Sequence, residues 1–216
     1  MRYYPVFLDL KGKSCLVVGG GAVAERKIRS LLAAGAKVIC LSTAFTPVIS
    51  ELARKKKITI RKIKIAKPGA FKTPLRNIFL VIAATSSSQV NTAIFKACRS
   101  RNVLVNAVDD ARHCDFIAPA VVTRGLLSIA VSTGGASPLL AKKIRKRIGK
   151  LLGPEYGRFL RFMSRHRQKI YRAVNDPEKR KKVFEKLTGM KFINLFKRAR
   201  PEIIKKKFKA VLKTAE

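Results

Sequence analysis

Asp109 and Asp110 end the strand pattern Leu104-Val-Asn-Ala-Val108, in a chain with only 12 acidic residues. A carboxylate at a strand end can take or relay a proton beside a cofactor, as a general base or acid. Adjacent side chains on an extended strand point opposite ways, so at most one of the pair faces a cleft. Asp109 is read as that group and Asp110 as a turn-former or helix cap. A second chemical feature comes earlier in the chain. Leu16–Val18 runs into Gly19, Gly20 and Gly21 and then into a helical pattern, with Gly19, Gly21 and Ala24 in a G-x-G-x-x-A spacing. Backbone N–H groups at such a helix start hold a pyrophosphate, because no side chain blocks the approach and the helix dipole favours negative charge. The spacing alone is shared by many nucleotide binders; its place between a strand and a helix strengthens it. Together the two features suggest redox chemistry with a dinucleotide.

Other groups leave alternatives open. Ser132-Thr133-Gly134-Gly135 precedes a helix and reads either as a mobile turn or as an anion site of backbone N–H groups and hydroxyls. His113 and Cys114 could join Asp109 around a metal, but their spacing matches no standard site, so they read as a loop histidine and a half-buried thiol. No metal centre is expected. A dinucleotide site often has an acid after its second strand, bonded to the ribose. Cys40-Leu-Ser-Thr-Ala44 has hydroxyls there, with neither an acid nor an arginine for a 2′-phosphate, which tilts the reading toward NAD.

The elements that would position these groups follow from periodicity. Ser14–Val18, Lys37–Leu41, Phe79–Ala83 and Val103–Val108 are short apolar strands, and Ile58–Ile65 alternates as a half-buried one. Helices fill Val23–Ala34, stopped by Gly35, and Thr46–Arg54, with Thr46 as N-cap and Pro47 in the first turn. A third spans Ser87–Arg101. Buried strands alternating with helices give an α/β fold with a Rossmann-type parallel sheet covered on both faces, its ligand at the carboxyl ends of the strands. Those ends carry Gly19–Gly21, Ser42-Thr43, Ala84-Thr85 and Asp109-Asp110. Beyond Asp115 the pattern changes. Phe116–Val122 and Leu127–Ser132 read as two more strands, Ser137 as an N-cap before Pro138, and the remainder as helices punctuated by Gly153-Pro154, Asn175-Asp-Pro177, Gly189 and Pro201. The expected divisions are 1–115 as nucleotide-binding domain, 116–150 as a small strand-containing region and 151–216 as an all-helical region.

Composition bounds the partners. The 216 residues have 47% hydrophobic content, enough for a real core, and carry 48 Lys+Arg against 12 Asp+Glu, a formal charge of +36. Such a chain attracts polyanions, although an excess spread along the whole length also fits a general compositional bias. In the basic stretch Ala141–Leu152, Ile144, Ile148, Leu151 and Leu152 form an apolar stripe, the pattern of a packed surface helix. No aromatic interleaving marks a nucleic-acid groove, and nucleic acid is not the expected partner. Cys15, Cys40, Cys98 and Cys114 show no C-x-x-C spacing, and Cys15 and Cys40 sit in apolar strands as buried thiols. No run spans a bilayer and no signal-peptide order opens the chain, so a cytoplasmic location without membrane attachment is expected.

Four segments, in order, resemble a known family: Tyr4-Pro-Val-Phe-Leu-Asp-Leu10; Val17-Val-Gly-Gly-Gly-Ala-Val-Ala-Glu-Arg-Lys27; Asn106-Ala-Val-Asp-Asp110 with Cys114-Asp-Phe-Ile-Ala-Pro119; and Ser132-Thr-Gly-Gly-Ala-Ser-Pro-Leu-Leu-Ala141. Together they are similar to precorrin-2 dehydrogenase, the siroheme-synthase N-terminal module. The match is close over 1–150 and general beyond. The resemblance implies NAD-dependent oxidation of the tetrapyrrole precorrin-2 to sirohydrochlorin, with insertion of ferrous iron in some members and cobalt by the same logic. It implies a homodimer built through 116–150. It puts the essential aspartate on Asp109 and the cofactor contacts on Gly19, Gly20, Gly21, Ala22, Val23, Thr43, Ala44, Ala84 and Thr85. Asn106, Ser132, Thr133, Gly134 and Gly135 are the expected substrate contacts. Fused members carry a methyltransferase domain with no counterpart in this sequence, so methylation is expected from another protein.

Two other classes compete. A nucleotide-sensing regulatory module would need the glycine loop but neither the Asn106–Asp109 strand end nor the Ser132–Pro138 segment. A nucleic-acid binder, motivated by the charge, would bind with a steep salt dependence.

Overall fold

The computed structural model describes residues 3–64, 75–108, 110–198 and 200–214, in two units, Met1–Ala118 and Pro119–Glu216. Asp109, and Ile65 at the end of the expected third strand, lie outside the described residues.

In the first unit, β1 (Ser14–Val18), α1 (Ala22–Ala33), β2 (Lys37–Ser42), α2 (Pro47–Arg54), β3 (Ile58–Lys62), β4 (Ile78–Ala83), α3 (Ser88–Arg99) and β5 (Leu104–Ala107) follow in order. The sheet runs β3-β2-β1-β4-β5, every pair parallel. Period-two alternation sorts its side chains. Cys15, Val17, Val38, Cys40, Leu80 and Ile82 face α1 and α2, where Ala24, Ile28, Leu31 and Ile49 complete one core. Leu16, Val18, Leu41, Val81, Ala83 and Val105 face α3, whose Val90, Ile94 and Cys98 complete the other. Burial on both faces explains why these strands read as continuous apolar runs. Each fully buried aliphatic side chain, Ile28 or Ile94 for instance, contributes roughly 1.5–3 kcal/mol.

Helix starts follow the sequence closely. The Thr46 hydroxyl accepts from Ile49 N, the Ser87 hydroxyl from Val90 N, and Gly35, at φ +78°, follows the end of α1. The predicted strand Phe116–Val122 is instead split. Only Ala120–Arg124 is strand (β6), while Cys114–Phe116 turns back along β5. There Asp115 N donates to Val105 O (2.8 Å) and Asp115 Oδ2 accepts from Val105 N (3.0 Å). The outer edge of β5 is thus covered, as sheet edges generally must be.

In the second unit, β6 pairs antiparallel with β7 (Leu127–Val131) across a turn with Gly125 at φ +61°. Then come α4 (Pro138–Leu151), α5 (Pro154–Ala173), α6 (Pro177–Thr188), the short α7 (Met190–Ile193) and α8 (Pro201–Lys213). Arg124 ties the ribbon to the end of α4, donating to Leu152 O (2.8 Å) and Gly149 O (2.7 Å). Phe159, Ile170, Leu187, Phe192, Phe196 and Phe208 pack the helical core. The apolar stripe of α4 is narrower than its sequence pattern. Ala141 is buried and Ile144, Ile148 and Leu152 are half-buried, but Leu151, in the last turn, is 78% exposed.

Candidate functional site

Strand order reverses between β1 and β4, because the chain builds outward from β1 to β3 and then returns to the other side of β1. Loops leaving the two strands diverge there and open a crevice at their carboxyl ends. A cleft of about 740 Å³ occupies this place, bounded by Gly19–Val23 from β1, Leu41–Thr46 from β2, Ala84–Ser87 from β4 and Val108 after β5. Its size suits a nucleotide-sized ligand.

The three glycines have different reasons to be glycine. Gly19 has φ +120°, and a Cβ on it would collide with the Ala84 carbonyl. A Cβ on Gly20 would collide with the Ala44 carbonyl and lie 2.8 Å from the Ser42 hydroxyl. These two allow three loops to close on one another. The closure is held by Gly19 N to Leu41 O (2.8 Å), Thr46 N to Gly20 O (3.0 Å) and Ala84 N to Val18 O (2.7 Å). Beneath them the Cys40 thiol donates to Gly19 O (3.2 Å), and Thr46 donates its hydroxyl to Glu25 Oε2 (2.9 Å). A Cβ on Gly21 would meet nothing within 4 Å.

Gly21 is the N-cap of α1, and no side chain caps that helix. Among the described residues, α2, α3, α4 and α6 start on a capping side chain, and α5 and α8 start on a proline. α1 has neither, a lack it shares with the one-turn α7, and its leading N–H groups lie at the positive end of the dipole beside the cleft. This cradle fits the diphosphate of a dinucleotide.

The structure brings Gly19, Gly20, Gly21, Ala22, Val23, Thr43, Ala44, Ala84 and Thr85 together around the cleft. It also shows which atoms are spent. Thr85 Oγ1 donates to Asn91 Oδ1 (2.7 Å), Thr85 N donates to the same oxygen (3.2 Å), and Asn91 Nδ2 donates to Thr85 O (3.1 Å). The hydroxyl and the backbone N–H of Thr85 are thus committed to Asn91, which leaves the cleft its methyl and the second lone pair of its carbonyl. Asn91, which holds that loop from α3, was missed in the sequence. Its signal is a polar residue beside Val90 on the apolar stripe of a helix, which a buried hydrogen-bond duty explains.

At the rim after β5, Asp110 caps the 3₁₀ turn Ala111–His113, accepting from Arg112 N (3.0 Å), with Oδ2 2.7 Å from His113 Nδ1. The His113 hydrogen bond, followed by that from Arg112 N, holds its carboxyl below the usual range. This is the cap read from the sequence. His113 packs edge-on to Phe95. The side-chain amide of Asn106, an expected substrate contact, is turned inward. It donates to Phe116 O (2.9 Å) and to Cys114 Sγ (3.3 Å) and is buried. Burial pushes the Cys114 thiol up, and pushes those of Cys15, Cys40 and Cys98 to about 11, 12 and 12. Among the described residues, no three His, Cys, Asp or Glu groups converge.

The Ser132–Gly135 turn lies in the second unit. Ser132 Oγ accepts from Gly134 N (3.0 Å), Thr133 Oγ1 from Ser137 N (3.1 Å) and Ser137 Oγ from Leu140 N (3.2 Å). Each hydroxyl oxygen is occupied as an acceptor, which leaves the Ser132 and Thr133 hydrogens available to donate. No described helix is long and apolar enough to cross a membrane.

A family model described as NAD(P)-binding matches residues 6–120, and one described as sirohaem biosynthesis protein central matches residues 124–151. The siroheme synthase of Nitrosococcus oceani is 39% identical over 187 residues, which are 87% of this chain and 39% of the relative. That of Mannheimia succiniciproducens is 36% identical over 212 residues, 98% of this chain and 44% of the relative. The chain therefore spans 39–44% of the length of these curated relatives. A solved structure described as SirC, precorrin-2 dehydrogenase, is similar with a TM-score of 0.76 at 26% identity, covering 98% of this chain and 100% of that one.

Proposed function

The chain belongs to the NAD(P)-binding family of siroheme-synthesis proteins, and from that premise we propose that it oxidises precorrin-2 to sirohydrochlorin with NAD. The observation that carries this reading is the bare N-terminus of α1 at the strand-order reversal, ringed by Gly19–Gly21, Ser42–Thr46 and Ala84–Thr85. Backbone N–H groups of Ala22 and Val23 hold the diphosphate, and Thr43-Ala44 and Ala84-Thr85 flank the two nucleoside halves. With neither an acid nor an arginine at Ser42–Ala44, nothing there selects for a 2′-phosphate, and NAD is the proposed form.

When bound, NAD supplies a hydride acceptor. The substrate then loses one hydride and one proton. Asp109 takes the proton, since it follows Val108, a cleft-lining residue at the end of β5. Ser132 and Thr133 donate their free hydroxyl hydrogens, and Gly134 and Gly135 give close backbone approach, to carboxylates of the tetrapyrrole. The formal charge of +36 steers so acidic a substrate. Asn106 serves the substrate indirectly, by holding the segment that follows Asp109.

A homodimer is part of the proposal. The β6–β7 ribbon is only two-stranded, marginal by itself, and Val121, Leu126, Leu139, Leu140 and Leu151 of the same unit are exposed. A second copy would cover them. The four free thiols suit a reducing, cytoplasmic setting. Iron or cobalt would enter only as a later substrate, with Asp109 removing pyrrole protons.

The test is absorbance-monitored incubation of the protein with precorrin-2 and NAD, NADP or neither, followed by ferrous iron. Sirohydrochlorin should form with NAD and not without a dinucleotide; a further spectral change with iron would add chelation. NAD binding without turnover would favour the sensing module instead.

A further inference from the structure

The segment after β5 is fastened by a side chain that the reaction itself does not use. Cys114 Sγ lies 3.1 Å from Ala107 O and 3.2 Å from Asp110 O, the carbonyls on either side of Val108 and Asp109 in the chain. The same sulfur accepts from Asn106 Nδ2 (3.3 Å), whose other contact is Phe116 O (2.9 Å). A neutral thiol has one hydrogen to donate and a lone pair to accept with, and this position uses both. Around the sulfur, the chain is held on three further sides. Val108 N donates to Ala83 O (2.9 Å), Asp115 bonds both polar groups of Val105, and Asp110 clamps Arg112 N and His113.

The geometry points to Cys114, oriented by Asn106, as the positioning residue that fixes Ala107 and Asp110, and through them the chain on either side of Asp109, for proton transfer. The inference rests on the dehydrogenase reading above and names a residue for it. Sulfur suits the place because one thiol reaches two carbonyls that the chain has brought to the same side. Alanine would leave both carbonyls and the Asn106 amide without that partner in a half-buried site, and the loop would relax. A loose catalytic group costs rate rather than binding: displacement by about 1 Å lowers turnover by up to roughly 100-fold. NAD contacts, made by the loops after β1, β2 and β4, should not change.

The experiment compares wild type, Cys114→Ala, Cys114→Ser and Asn106→Ala as full-length proteins. It measures NAD affinity, kcat and KM for precorrin-2, the pH profile of kcat, and hydrogen exchange of the 104–116 segment without substrate. Cys114→Ala should keep NAD affinity and KM within about twofold, lower kcat by about 10- to 100-fold and shift the pH profile. Exchange should quicken in 107–112 and stay unchanged in the glycine loop. Serine, a shorter donor and acceptor, should restore most of the rate, and Asn106→Ala should resemble Cys114→Ala. Wild-type kcat and pH profile in folded Cys114→Ala, or unchanged exchange in 107–112, would overturn the inference. Wild-type protein that binds NAD but leaves precorrin-2 untouched would instead overturn the dehydrogenase reading, with the exchange result still reporting on the fastening.

Discussion

Two glycine-containing turns lead from a strand into a helix, and they are built in opposite ways. At Gly19–Gly21 the glycines let three loops close together, and the helix start is left without a cap. At Ser132–Gly135 the glycines sit at φ +63° and +92° with nothing near their missing side chains. There hydroxyls of Ser132, Thr133 and Ser137 accept the turn's own N–H groups. The first turn reserves backbone donors for a ligand; the second bonds the N–H groups of Gly134, Ser137 and Leu140 to its own hydroxyls and keeps hydroxyl hydrogens to give. Glycine content alone does not make an anion site. What matters is whether the N–H groups have already been used.

The largest expected effect lies outside both turns and sets their scale. Asp109→Ala should lower kcat by roughly 100- to 10,000-fold with NAD affinity intact; near-normal turnover would remove Asp109 from the mechanism. Next comes Gly20→Ala. Its Cβ would strike the Ala44 carbonyl, so thermal or denaturant unfolding should show a loss of about 1–3 kcal/mol, together with weakened NAD binding. Gly21→Ala separates the two consequences. It has room for a Cβ, so stability should barely move, while that Cβ projects into the space the diphosphate needs and NAD binding weakens by about tenfold, roughly 1.4 kcal/mol. Equal effects of the two substitutions in both assays would contradict the division of labour drawn between these glycines. In the second turn, Ser137→Ala removes a cap and should cost about 1 kcal/mol without touching NAD affinity. Smallest is a chemical check. Cys15, Cys40 and Cys98, held near 11–12, should resist alkylation in the native protein at about pH 8 and react once it is unfolded.

Most of the sheet was legible because strands buried on both faces announce themselves as unbroken apolar runs, and Gly35, Thr46 and Ser87 mark helix ends by local chemistry. The cleft was legible for the same reason: its loops follow those strands. Cys114–Phe116 was not. The run Phe116–Val122 looks like one strand because nothing local reveals that Asp115 will bond Val105 or that Asn106 will claim Phe116 O. Those partners are distant in sequence, and the choice between joining a ribbon and covering a sheet edge is tertiary. Asn91 was hidden likewise, since a polar residue in an amphipathic helix usually faces water. Leu151 failed in the other direction. Helical spacing put it on the stripe, but in the last turn of α4 no described residue of its own chain covers it.

The central claim is tested most directly by one stoichiometry: wild-type protein, a limiting amount of precorrin-2 and excess NAD, with NADH and sirohydrochlorin read by absorbance in the same cuvette. The two products should rise together, one NADH for each sirohydrochlorin, and neither should form when NAD is omitted. Sirohydrochlorin appearing without NADH, or tight NAD binding with no product at all, would contradict that claim.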